Sequence, residues 1–189
     1  MINRRQTHRL LGLAALLVSP LPARAAYPDK PVTIVVPFPA GSAADANVRV
    51  LADKLRGVLG APVVVDNKPG ANGILGTHVV VRAAPDGYTM LYHSASVAIN
   101  PSLLKDAPDP TKALVPIAQV ASTPYILSIR ADLGVRTMAD FIAYAKRHPG
   151  KLSCSTYGIG SPPHLALELL KQSAGIQVLH VPYLSLIHI

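Results

Sequence analysis

The stretch Val32-Thr-Ile-Val-Val-Pro-Phe-Pro-Ala-Gly-Ser-Ala-Ala-Asp45 decides the fold. A β-branched apolar run, Val32 to Val36, stops at a Pro/Gly loop that opens directly onto a helical pattern. A strand with few polar interruptions is the kind buried on both faces of a parallel sheet. The helix runs from about Ala44 to Leu59, with Val48, Leu51, Ala52, Leu55, Val58 and Leu59 on one stripe and Gly60 as its stop. At such a junction, backbone N–H groups and the positive end of a helix dipole converge on one point, which attracts a carboxylate or phosphate.

Working outward, Val63–Val65 reads as a second buried strand, Asn67–Gly70 as a turn, Ile74–Ala83 as a helix and Thr89–Tyr92 as a third strand. Alternating strands and helices predict an α/β fold with a parallel sheet. Asn100 to Pro116 reads as a loop rich in Pro, Asp and Lys, followed by strand-like runs at Leu114–Val120 and Tyr125–Arg130. Thr137-Met-Ala-Asp140 has the spacing of a capping box and opens a helix to about His148, where Pro149-Gly150 stops it. Leu152–Thr156 (strand), Pro162–Ala174 (helix, ended by Gly175) and Gln177–Val181 (strand) complete the pattern. A second α/β unit therefore starts near Tyr125.

Half of the 189 residues are apolar, 15% are charged and the formal net charge is +8. Arg4, Arg5 and Arg9 precede the apolar run Leu10–Val18, Pro20 and Pro22 break it, and Ala23-Arg24-Ala25 supplies an A-x-A cleavage signal. Residues 1–25 are read as a secretory signal peptide whose apolar core is too short to span a bilayer. The Arg4-Arg5 pair leaves a twin-arginine route open beside the general one. Without the leader's four arginines the charge falls to +4. With no Lys/Arg cluster, a nucleic-acid partner is not expected. The lone Cys154 excludes an intrachain disulfide and, within a strand, reads as a buried inert thiol. The expected product is exported, soluble and periplasmic. The final six residues, Leu184–Ile189, form an apolar tail without turn chemistry and are read as non-native.

A second Gly-rich loop, Tyr157-Gly-Ile-Gly-Ser-Pro-Pro-His164, suggests an anion gripped from two sides. Gly158 and Gly160 permit close approach, Ser161 suits an N-cap, and Pro162 and Pro163 remove two N–H donors. Ser94 and Ser96 end the third strand, on the side where ligands sit in open parallel sheets. Asp45 suits capping of the first helix more than ligand contact. There is no G-x-S-x-G, H-E-x-x-H or P-loop and no metal-spaced Cys/His set, so no catalytic residue, metal or cofactor is expected. A dinucleotide enzyme is the alternative of another class, because Asp66 falls about twenty residues after the first loop. Against it, Ala40–Asp45 carries one glycine where that fingerprint needs two or three.

The chain resembles the Bug receptors, periplasmic substrate-binding proteins of tripartite tricarboxylate transporters, from Tyr27 to Tyr183. The markers are Tyr27-Pro-x-Lys-Pro31, Val35–Pro39, Val63–Gly70, Ala83–Tyr88, Ala98–Ser102, His148–Leu152, Gly160-Ser161 with His164, and His180–Tyr183. The resemblance implies a two-domain, hinged, periplasmic-binding-protein-like fold that closes on a small carboxylate for delivery to membrane permease subunits. It implies a binding protein that is not an enzyme and is monomeric at full length. A role as ligand-sensing accessory to a membrane signalling system stays open. Domain 1 would span 26–124 and the incomplete domain 2 would span 125–183, before the tail at 184–189. Carried over, the ligand residues are Phe38, Ala40, Gly41, Ser42, Ala43 and Asp45, with Ser94 and Ser96, then Thr156, Gly158, Ser161 and His164. The family's first loop usually reads Pro-Gly-Gly and often includes Thr, whereas Ala40, Ser42, Ala43 and Ala44 stand here. Pro162 and Pro163 replace small polar residues. The family also continues beyond Val-Pro-Tyr, where Leu184 onward is unrelated.

Overall fold

The protein is described by a computed structural model covering residues 26–183; the expected leader and tail lie outside the described residues. The first sheet has the order β2-β1-β3, with β1 at Val32–Val36, β2 at Val63–Asn67 and β3 at Thr89–Leu91, all parallel. β1 is central, and its Val32, Ile34, Val35 and Val36 are all buried. This explains an apolar run interrupted only by Thr33: a strand flanked by strands and covered by helices has no wet face.

Helix α1 (Ala43–Leu59) packs over β1 and β2, placing Val48 and Ala52 against Ile34, Val36 and Val63. Gly60 closes the helix in the left-handed region, its N–H donating to Arg56 O. The expected stripe is narrower than its sequence: Val58 is 84% exposed. Ten residues beyond Val48, it stands about 80° round the helix from the seam. Helix α2 (Ile74–Val81) contacts β1 and β3. Gly76 permits that approach, since a Cβ there would lie 2.8 Å from Pro37 Cβ and 3.1 Å from Lys68 O.

The stretch expected as loop from Asn100 holds two helices instead. These are α3 (Ser96–Leu103), which carries Pro101 within it, and the short α4 (Pro110–Ala113) capped by Asp109. Pro101 disguised α3 in sequence, but a single missing donor leaves the neighbouring turns intact: Ile99 N–H reaches Ala95 O and Leu104 N–H reaches Asn100 O. The strands expected at Leu114–Val120 and Tyr125–Arg130 are not formed. Neither run has a pairing strand among the described residues, and Val115, Ile117 and Ile126 are at least three-quarters exposed. A β-branched run becomes a strand only when a neighbour takes its backbone groups.

The second sheet is a parallel pair, β4 (Leu152–Thr156) with β5 (Val178–Pro182). Helices α5 (Met138–Arg147) and α6 (Pro162–Ala174) share its core through Phe141, Ala145, Leu167, Ile176 and Val178. The capping box is present: Thr137 Oγ1 accepts Asp140 N–H, and Asp140 returns the bond to Thr137 N–H, both at 3.1 Å. Cys154 is half-buried on β4, and burial pushes its thiol up.

Val48→Ala should cost about 2 kcal/mol in urea unfolding, because it hollows the seam between α1 and β1. Val58→Ala, on the same helix but exposed, should change stability by less than about 0.5 kcal/mol. Equal losses at the two positions would contradict this packing.

Candidate functional site

The first loop is organised by one carboxylate. Asp45, the third residue of α1 and 3% exposed, accepts Gly41 N–H at Oδ2 (2.9 Å), Arg49 Nε–H at Oδ2 (3.0 Å) and Asn67 Nδ2–H at Oδ1 (2.9 Å). Asn67 also donates to Phe38 O (3.1 Å), so β2, the loop and α1 are tied at one point. Gly41 sits at φ +80°, which only glycine adopts without strain. The Arg49 guanidinium, then the Gly41 N–H and Asn67, hold the Asp45 carboxyl down at about 2 despite its burial. Ser42 caps the helix, its Oγ accepting Asp45 N–H (3.3 Å), while its own N–H donates to Pro39 O (3.2 Å).

The N–H groups of Gly41 and Ser42 are thus engaged within the loop. Among the described residues, those of Ala43 and Ala44 have no partner. They form the first turn of a 17-residue helix, where unpaired donors and the dipole act together.

At the end of β3, Ser94 Oγ–H donates to Ser96 Oγ (3.0 Å), and Ser96 is fully buried. In the second loop, Ser161 caps α6 and donates its hydroxyl to Gly158 O (2.7 Å), while Gly160 N–H donates to His164 Nδ1 (3.1 Å). Thr156, 1% exposed, meets His180 Nε2 at 2.7 Å. The expected site residues therefore form three clusters: Phe38–Asp45 with Asn67, Ser94 with Ser96, and Thr156–His164. No hydrogen bond joins residues 41–45 to residues 156–164 among the described residues.

The clusters meet through residues the sequence argument passed over. The Tyr157 ring lies edge-on to Phe38, with centroids 6.5 Å apart, and Phe38 lies edge-on to His93 at 5.5 Å. Burial, then Tyr125, pushes the Tyr157 phenol far up, and burial pushes His93 down to about 4, so both are neutral at pH 7. Asn72 and Asn100 clasp each other: Asn72 Nδ2–H donates to Asn100 Oδ1 (2.6 Å), and Asn100 Nδ2–H donates to Asn72 O (3.0 Å). The pair backs the second loop, since a Cβ on Gly160 would lie 3.3 Å from Asn72 Nδ2 and 3.7 Å from Asn100 Oδ1. The legible signal was Asn72 itself, beside Gly73 in a left-handed turn that Asn tolerates. A cleft of about 690 Å³ is lined by Phe38, Pro39, Asn72, Tyr157 and Gly158 among others. Of the twelve expected residues only Phe38 and Gly158 line it.

No group of three or more His, Cys, Asp or Glu able to hold a metal occurs among the described residues. Asp66, the ribose candidate of the dinucleotide reading, is paired with Lys68 at 3.2 Å. No helix among the described residues is long and apolar enough to cross a membrane.

Residues 47–185 match the family described as tripartite tricarboxylate transporter family receptor, TctC. The chain belongs to this family. The TctC chain is 39% identical over 173 residues to the UPF0065 protein in the gbd 5′ region of Cupriavidus necator, covering 90% of this chain and 53% of that one. Among solved structures, it is similar to R. palustris Rpa4515 with adipate (TM-score 0.79, 32% identity, 84% of this chain and 54% of that one). MatC from Rhodopseudomonas palustris with bound malate gives a TM-score of 0.73 at 30% identity, covering 84% of this chain and 55% of that one. The periplasmic binding protein BugD gives 0.71 at 34%, covering 86% and 55%. The TctC chain thus spans about half the length of the curated relatives it matches.

Because the Asp45 carboxyl is depressed in the fold, its contribution is present above about pH 4, the ordinary carboxylate value, and is lost as pH falls toward 2. Asp45→Asn should lower the thermal midpoint at pH 7 and flatten the acid limb over that window. An unchanged acid limb would remove Asp45 as the tie.

Proposed function

We propose that this chain builds a periplasmic receptor that captures a small carboxylate for a tripartite tricarboxylate transporter, acting by binding and without catalysis. The supporting observation is the pair of free amides, Ala43 and Ala44, at the head of α1. They occur on a fold whose structural neighbours were solved with adipate and malate. A carboxylate docked there accepts two N–H bonds and meets the positive end of the helix dipole, with no cationic side chain required. The two units, 26–124 and 125–183, act as lobes, and the ligand favours the closed arrangement through contacts made only when they meet. Phe38 and Tyr157 border the body of the ligand. Ser94 and Ser96 lie at the strand end that faces it, and Asp45, Ser161 and His164 hold the loops. The leader directs export to the periplasm, and permease subunits of the membrane receive the loaded form.

Ala43→Pro tests the docking point. Position 43 opens the helix, where Pro is accommodated, and Ser42 before it is already extended (φ −69°, ψ 162°). The substitution removes one N–H and leaves the fold intact. Affinity for malate or adipate in calorimetry should fall about tenfold or more, as for a lost charge-assisted hydrogen bond. Unchanged affinity would refute the docking point. No binding of any small carboxylate by the parent would refute the receptor reading itself.

A further inference from the structure

The second loop hangs on two histidines. His164, in the first turn of α6, takes the Gly160 N–H at Nδ1 (3.1 Å), and His180, on β5, meets Thr156 Oγ1 through Nε2 (2.7 Å). Their rings stack, with centroids 4.0 Å apart and planes inclined by 25°. Thr156 Oγ1 in turn accepts Gly158 N–H (3.3 Å), and Ser161 Oγ–H donates to Gly158 O (2.7 Å). Thr156, Gly158, Gly160 and Ser161 are therefore held, directly or at one remove, by an imidazole.

We propose that His164 and His180 are paired positioning residues of the ligand-facing loop, and that protonation of the pair in mild acid releases the loop.

Two physical facts carry this. An imidazole nitrogen accepts a hydrogen bond only when unprotonated, so a proton on His164 Nδ1 would face the Gly160 N–H donor to donor. Two imidazolium rings at 4.0 Å would also repel. One neighbouring carboxylate offsets that charge only in part. Glu168 lies 3.7 Å from His164 Nε2, but the same carboxylate oxygen already holds Lys171 Nζ at 2.8 Å. From β4 the facing titratable group is the Cys154 thiol, in register with His180 and neutral. Burial first, and the neighbouring His164 second, favour the uncharged form of His180 in the fold. Loop order is then complete above the ordinary histidine range, about 6.5, and is lost as pH falls below it. The consequence for ligand capture rests on the receptor reading; the loop's own response does not.

The test is proton–nitrogen NMR of the protein without ligand, from about pH 8 to pH 5, following the Gly160 amide and the histidine ring nitrogens. Gly160 protection from exchange, corrected for the intrinsic rate, should fall about tenfold as the pH drops from 8 to 5. His164→Asn offers a non-titrating acceptor and should keep that protection flat with pH. His180→Gln removes the second charge and should move the midpoint of the Gly160 pH response upward. A flat Gly160 response in the parent, a surviving pH response in H164N, or an unmoved midpoint in H180Q would each overturn the proposal. If H164N does not fold, the parent and H180Q decide. Since no ligand is present, failure here leaves the receptor reading standing, and failure of the Ala43→Pro calorimetry leaves this proposal standing.

Discussion

The first unit depends on the buried carboxylate of Asp45. One side chain joins the loop after β1, the first turns of α1 and the end of β2 through Gly41, Arg49 and Asn67. Removing one partner of such a network leaves the others buried and unpaired, so its members act as a unit. The tie also helps determine which loop donors remain open. Asp45 takes the Gly41 N–H and Pro39 O takes that of Ser42, which leaves the amides of Ala43 and Ala44 open. In the proposed site the carboxylate therefore acts by holding the loop and not by contact with the ligand.

The second loop solves the same problem with neutral groups. Ser161, Thr156, His164 and His180 consume most of its donors internally, and Pro162 and Pro163 contribute none. What faces the first unit is Tyr157, uncharged and edge-on to Phe38. The first loop thus presents N–H donors and a helix dipole, and the second presents one aromatic ring and a shaped backbone.

The fold was largely legible because burial leaves strong patterns. Val32–Val36 is covered on both faces, Ser42 and Ser161 cap where a capping residue should, and Thr137 pairs with Asp140 at capping-box spacing. The misreadings have two causes. Leu114–Val120 and Tyr125–Arg130 have strand composition, but pairing is a tertiary fact that composition cannot supply. Ser96–Leu103 is helical despite Pro101, held by contacts from Asn72 to the buried Asn100. The site was legible as three loops but not as contacts. Spacing cannot reveal that Gly41 and Ser161 have their donors engaged, or that Asn72, His93, Tyr157 and His180 close the gaps between the loops.

The most direct test of the central claim is to follow the backbone amides of residues 41–45 by NMR while malate is added. The account predicts that the Ala43 and Ala44 signals move strongly downfield as their N–H groups gain an anionic acceptor, while Gly41, already bound to Asp45, moves little. Saturable malate binding with Ala43 and Ala44 unmoved would contradict it.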